Sequence, residues 1–212
     1  MTVEQHLKQA VLWEQAQDKK TQCFLCAHRC LIPEGKTGIC AVRRNIAGVL
    51  YSLNYDKVVS ANPDPIEKKP LFHFQPGSKS FSIATMGCNF RCEFCQNWQI
   101  SQAIVGTGEF EGEAIPPEQI VNAAIQFGCK SIAYTYTEPT IFMELASDCG
   151  KLAKQHGLKN VFVSNGYQTK EAIGFAADWL DAINVDLKAF SEDYYRRLCK
   201  AKLQPVLDTI EY

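Results

Sequence analysis

No stretch of this sequence is apolar for long enough to cross a bilayer, and its first residues, MTVEQHLKQAVLWEQAQDKK, lack the apolar core of a secretory leader. A cytoplasmic protein with no membrane partner is expected. An excess of one charge is missing too, since 22 Lys and Arg face 23 Asp and Glu for a net charge of −1. The basic residues come in scattered pairs such as Arg43-Arg44 and Lys68-Lys69, so there is no electrostatic footprint for nucleic acid, and both pairs are expected on solvated surface. Internal repeats and low-complexity tracts are also absent. With 46% hydrophobic residues over 212 positions, the chain has enough for one core and a small appended module, which excludes disorder as its overall state.

Cysteine is abundant: ten thiols are many for a compartment where disulfides are rare and clustered thiols bind metal. Cys129, Cys149 and Cys199 are isolated and read as small buried hydrophobes. The other seven form two groups. Cys23, Cys26, Cys30 and Cys40, with His28 as a spare donor, suffice to close a structural site. Zinc and an auxiliary iron–sulfur cluster both accept four thiolates, and free thiols are the third reading. Cys88, Cys92 and Cys95 form CxxxCxxC after the apolar run at 81–85, one ligand fewer than a closed site needs. The deficit suggests a cluster with one iron left open for a small molecule. The competing reading is zinc completed by a remote His73 or Cys129.

A turn-rich stretch at 75–78 divides the chain into an N-terminal part, 1–77, with a helix over about 3–17, the cysteine-rich module and a short hairpin near 48–53, and a second part, 78–212. In the second part, strands at 81–85, 131–134, 160–163 and 182–185 alternate with helices at 117–127, 140–156, 169–179 and 191–198, and another helix opens at 203–212. Such βα alternation implies an α/β fold with a parallel sheet, as a barrel or a doubly wound layer, and about four units are too few to close an eight-stranded barrel. The chain is therefore expected to be incomplete at its C-terminus. Loops after strand C-termini form the active face in these folds. Here they carry the cysteines, then Tyr134 to Thr140, then Ser164-Asn165-Gly166-Tyr167, then Asp186-Leu187-Lys188.

CxxxCxxC with Phe94 before its last cysteine resembles the signature of the radical S-adenosylmethionine (radical SAM) enzymes. The cysteine-rich run from Cys23, Lys69-Pro70-Leu71-Phe72-His73-Phe74, Cys95-Gln96-Asn97-Trp98, Tyr134-Thr135-Tyr136-Thr137-Glu138-Pro139-Thr140 and Asp186-Leu187-Lys188 resemble the AmmeMemoRadiSam-system radical SAM enzymes, homologues of the pyruvate formate-lyase activating enzyme. The resemblance implies a partial (β/α) barrel with an N-terminal cysteine-rich metal module, and a [4Fe-4S] cluster on Cys88, Cys92 and Cys95. It further implies S-adenosylmethionine on the fourth iron, reductive cleavage to a 5′-deoxyadenosyl radical that abstracts hydrogen from an unassigned substrate, and a one-electron donor such as flavodoxin or ferredoxin. Glu138 matches the end of the GGEP motif, with Tyr136 and Thr137 in place of its glycines. Asn97, Asp186 and Lys188 match cofactor-binding positions, and Ser164 and Asn165 fall in a further cofactor segment whose usual aspartate is replaced by Val163. Against these roles, Glu138 could cap a helix, Asp186 and Lys188 could be a surface pair, and Asn165-Gly166 could be a turn. A glycyl-radical activase with a protein substrate is the specific alternative. A non-catalytic iron–sulfur or zinc protein, or an inactive remnant, is the general one.

Overall fold

The computed structural model describes residues 7–107 and 110–212. Strands β1 (Lys8–Gln9), β2 (Trp13–Gln15), β3 (Thr21–Cys23), β4 (Leu31–Ile32), β5 (Arg43–Ile46) and β6 (Val49–Ser52) build two small antiparallel sheets, ordered β1-β6-β5 and β2-β3-β4. The helix expected over 3–17 is therefore not formed in its described part, and residues 1–6 lie outside the described residues. Tertiary pairing overrides the local pattern there. Trp13 and Gln15 pair with Cys23 and Thr21, and the Val11 N–H donates to Glu144 at 2.8 Å.

The main sheet has the order β12-β11-β10-β8-β7-β9, from β7 (Lys57–Pro65), β8 (Lys79–Thr85), β9 (Glu113–Ala114), β10 (Ser131–Tyr134), β11 (Lys159–Ser164) and β12 (Ala182–Val185). The strands β8, β10, β11 and β12 run parallel, while β7 is antiparallel to both its neighbours. The sheet thus reaches across the turn at 75–78, because β7 precedes it and pairs with β8 from Val58 to Pro65. All four residues of β10 are buried, as a strand covered on both faces requires.

Helices α1 (Trp98–Ser101) and α2 (Ala103–Thr107) follow the cysteine loop, and α3 (Pro117–Gln126), α4 (Met143–Gln155) and α5 (Lys170–Ala176) connect the parallel strands. Pro117 starts α3, where its missing N–H costs nothing, and the Thr169 hydroxyl caps α5 by accepting from the Ala172 N–H at 3.1 Å. The last elements are α6 (Glu192–Tyr194), a π-helical turn at Tyr195–Cys199, and α7 (Gln204–Glu211). On one sheet face Phe81, Ile83, Ile132 and Phe162 pack with Ile120, Val121, Leu145 and Cys149 of α3 and α4. The other face carries Ala133 and Val161 under Ile66, Leu71 and Phe74, from the β7–β8 link.

Both basic pairs expected on solvated surface are half interior. Arg43 and Lys69 are each 1% exposed, the first in an ion pair with Glu144 of α4 and the second with Asp64. Their neighbours explain the difference. Strand alternation in β5 turns Arg44 outward and Arg43 inward, onto a buried carboxylate that needs a cation. No helix among the described residues is long and apolar enough to cross a membrane.

Candidate active site

The loop after β8 opens on Gly87, whose φ of +102° suits glycine alone. A Cβ there would stand 2.5 Å from Val42 Cγ1 and 3.2 Å from the Cys40 carbonyl oxygen. The chain then turns through Cys88, Cys92 and Cys95, which together line a cavity of about 390 Å³, the size of a small-molecule site. The Phe90 N–H donates to Cys88 Sγ at 3.3 Å, and Cys95 Sγ lies 3.2 Å from Ser101 Oγ of α1. Backbone N–H groups of Arg91 and Glu93 donate to the carbonyls of Cys199 and Leu198 at 3.0 Å, so the π-helical turn grips the loop and packs Cys199 against Cys88 and Cys92. Phe94 lines the cavity and lies 5.6 Å from the Tyr194 ring.

Every strand exit that the sequence singled out reaches this cavity. Glu138, buried at the end of the β10 loop, accepts from the Thr140 N–H at 3.0 Å and hydroxyl at 2.5 Å, from Ser164 Oγ at 2.8 Å, and from the Asn165 N–H at 2.8 Å. It caps the Pro139–Phe142 turn, as one of its two readings had it, and also lines the cavity. Burial raises its pKa, opposed by the Thr140, Asn165 and Ser164 donors. Asn165 Nδ2 donates to Asn89 Oδ1 at 2.7 Å, bringing the β11 exit onto the cysteine loop. Asn97 Nδ2 donates to the Tyr136 carbonyl at 2.8 Å. Tyr136, at a glycine position of the motif, takes the left-handed φ of +64° that a glycine would supply, so the loop keeps its course at the cost of local strain. Asp186 and Lys188 form an ion pair at 2.7 Å on the cavity wall, with both side chains partly exposed. Lys188 is desolvated, yet Asp186, Cys92 and Glu138 raise its pKa and keep it a cation. Ser164 is held behind Glu138, and Val163 offers the cavity only an apolar side chain.

In chemical type the residues lining the cavity, three thiols with Glu138, Asp186 and Lys188, suit a thiolate-held cluster with a zwitterionic ligand beside it. Burial pushes the Cys88 thiol up, with Glu138 adding to the effect, and burial beside Cys199 pushes Cys92 up to about 12. Such sulfurs become anionic only against a compensating cation, and soft thiolates select iron or zinc. Neither His73 nor Cys129 lines the cavity, so the remote fourth ligands for zinc are not in place.

Cys23, Cys26, Cys30 and Cys40 surround a second, much smaller cavity of about 10 Å³ with His28 and Arg43. Burial raises the Cys26 pKa, and the charges of Cys40, Cys23 and Cys30 add to it, which places the four sulfurs within mutual electrostatic reach. As they stand, no three His, Cys, Asp or Glu side chains among the described residues are gathered tightly enough to hold a metal ion. His28 Nε2 instead donates to the Asn89 carbonyl at 2.8 Å, and the Arg91 guanidinium donates to the Ile39 carbonyl. The two cysteine groups are thus tied together through the cysteine loop.

Sequence reasoning passed over Asp64, Ser101 and Asn89, the last although it lies between Cys88 and Cys92, and read Cys199 as a small buried hydrophobe, which it is, without placing it beside the cysteine loop. The signal for Lys69 and Tyr136 was there, since both lie in stretches that carried the family resemblance.

The family model of the radical SAM superfamily matches residues 82–212. A protein of Methanocaldococcus jannaschii that is itself uncharacterized is 46% identical over 203 residues, covering 96% of this chain and 60% of the relative. Another protein of that archaeon, named provisionally as a glycyl-radical enzyme activating enzyme, is 27% identical over 135 residues, 64% of this chain and 49% of the relative. A Thermococcus kodakarensis protein named provisionally as a GTP 3′,8-cyclase is 30% identical over 129 residues, 60% of this chain and 40% of the relative. The chain spans between two fifths and three fifths of the length of these relatives.

Proposed function

The chain belongs to the radical SAM superfamily, and from that premise we propose that its cavity holds a [4Fe-4S] cluster on Cys88, Cys92 and Cys95 with S-adenosylmethionine beside it. When bound, this pair supplies one-electron reductive cleavage of the sulfonium to methionine and a 5′-deoxyadenosyl radical that takes hydrogen from a substrate. The observation that carries the reading is the convergence of three thiols, Glu138, Asn97, Asn165, Asp186 and Lys188 on one cavity from four separate strand exits.

The chain's own residues orient and shield. Lys188 offers an ammonium to the methionine carboxylate, and Asp186 both aims that lysine and accepts from ribose hydroxyls. Glu138, fixed by four donors, presents carboxylate charge to the methionine amino group without needing to reorganise. Asn97 and Asn165 brace the loops on either side, and Ser164 holds Glu138. A one-electron donor, flavodoxin or ferredoxin, would reduce the cluster. The N-terminal thiols are proposed to hold zinc or an auxiliary cluster that stiffens the cysteine loop through His28.

Anaerobic reconstitution tests this directly. Wild-type protein should gain about four irons and sulfides at the loop and release 5′-deoxyadenosine on reduction with S-adenosylmethionine, and Cys88→Ala should lose both. Zinc counted in the same samples, and its loss in Cys26→Ala, reports the N-terminal group. Wild-type protein with a full cluster and no 5′-deoxyadenosine would sink the proposal. The relative named for glycyl-radical activation favours one specific version, with a protein substrate. Deuterium passing from a partner's labelled glycine into 5′-deoxyadenosine would mark it.

A further inference from the structure

The link between β7 and β8 crosses the sheet face left free by α3 and α4, and carries Lys68 and Lys69 into the wall of the cavity that the cysteines line. Lys69 is buried, with Nζ 2.8 Å from Asp64 Oδ2 and 3.5 Å from the Tyr136 hydroxyl. Lys68 Nζ lies 2.8 Å from Asp64 Oδ1. Two ammonium groups therefore share a single carboxylate, which leaves one positive charge uncompensated. Asp64 has nothing further to give, because Ser82 Oγ at 2.8 Å and the Tyr136 hydroxyl also donate to it.

An ammonium has three N–H donors. The contacts above use two on Lys69 and one on Lys68, so three remain for a ligand. The Tyr136 ring lies 4.5 Å from Lys69 Nζ and 5.7 Å from Lys68 Nζ, held by a backbone conformation that costs strain. Strain of this kind persists where the surroundings impose it, and here it sets the hydroxyl on Asp64. The carboxylate of S-adenosylmethionine already has a cation in Lys188, carried by the opposite end of the parallel strand series.

We infer that Lys68 and Lys69, aimed by Asp64 and Tyr136, form an oxyanion subsite of the cavity, so that the substrate carries a carboxylate or phosphate group. The inference rests on the proposed function for calling the occupant a substrate. The anion itself would bind whether or not a cluster is present. Asp64 and Tyr136 are positioning residues, and the two ammonium groups make the contact.

Inorganic phosphate and acetate serve as probes on the full chain under anaerobic conditions, at matched ionic strength with chloride as control, read by ³¹P and ¹³C line broadening. One saturable site per chain is expected for at least one probe, and the tighter of the two identifies the group. Lys68→Gln should weaken it about tenfold or more, as loss of a charge-assisted contact does. Since Lys69→Met alone would also change the charge around Asp64, the paired variant Lys69→Met/Asp64→Asn keeps the net charge of the network at one positive and should weaken binding at least as much through loss of the Lys69 contact, with circular dichroism verifying the fold. Absence of saturable binding in the wild type, or equal affinity in both variants, overturns the subsite. S-adenosylmethionine affinity, measured by equilibrium dialysis on the same wild-type sample, reports the cofactor site separately. Anion binding without cofactor binding would leave the subsite standing and refute the function proposed above.

Discussion

Single residues here carry more than one duty, and their hydrogen bonds show which duties conflict. Glu138 accepts four hydrogen bonds, with a backbone N–H on each oxygen, from Thr140 on Oε1 and Asn165 on Oε2, so Glu138→Gln turns an amide N–H₂ toward a group that can only donate whichever way it is oriented. The variant should lose about 1–3 kcal/mol of stability in urea unfolding and at least about tenfold in S-adenosylmethionine affinity by equilibrium dialysis. Asp64 gives a pH prediction. Burial works against its charge, but donors from Lys68, Lys69, Tyr136 and Ser82 hold its carboxyl well below the usual carboxylate range. A depressed folded pKa stabilises above the unfolded value and is lost as pH falls through the folded one. Wild-type stability should therefore drop on acidification below about pH 4, and Asp64→Asn should remove that component of the slope. An equal slope in both proteins would show that Asp64 is not held this way.

Elements with regular periodicity were legible in the sequence, and elements made by pairing were not. The strands at 131–134 and 182–185 and the helices after Pro116 and Thr169 stand within a few residues of where apolar period and caps put them. Strand β7 left no such mark, since its asparagine and prolines read as loop, and only its register with β8 makes it a strand. The N-terminal amphipathic run failed for a related reason, because a period suggesting one buried helix face also serves short strands that find partners. In the same way the two cysteine groups were legible from spacing, whereas Lys69 needed the fold to bring the β7–β8 link under Tyr136. At this scale the tightest joint is Gly87. Gly87→Ala would force an L-residue to φ +102° and press a methyl on Val42. We expect a loss of about 2 kcal/mol or more, seen as a melting temperature lower by roughly 4–8 °C. Adding Val42→Ala should recover only part of it, since the backbone strain remains.

Across the whole molecule, the N-terminal sheets and the α/β layer share one interior. The Arg43–Glu144 pair is a buried ionic link between them, with Arg43 Nη1 also donating to the Val11 carbonyl at 2.8 Å and to Cys23 Sγ at 3.4 Å. Arg43→Met alone should cost about 3–5 kcal/mol by stranding the carboxylate, and Arg43→Met/Glu144→Leu should regain most of it. Urea unfolding at unchanged m-value would separate this from a change in compactness. If the single and double variants are equally unstable, the link is packing and not charge.

The ties from His28 to Asn89 and from Arg91 to Ile39 also have a meaning in time. A ribosome delivers the chain N-terminus first, so the stretch from 21 to 40 is outside the tunnel a few seconds before the turn at 86–98, at roughly 5–20 residues per second. By the time Cys88 emerges, His28 and Ile39 are already outside, whereas Tyr167 and Thr169, which bond to the stretch that carries them, are still to be made. The cysteine loop is thus closed between an early and a late part of the same chain, since Leu198 and Cys199, whose carbonyls accept from the Glu93 and Arg91 N–H groups, are made last.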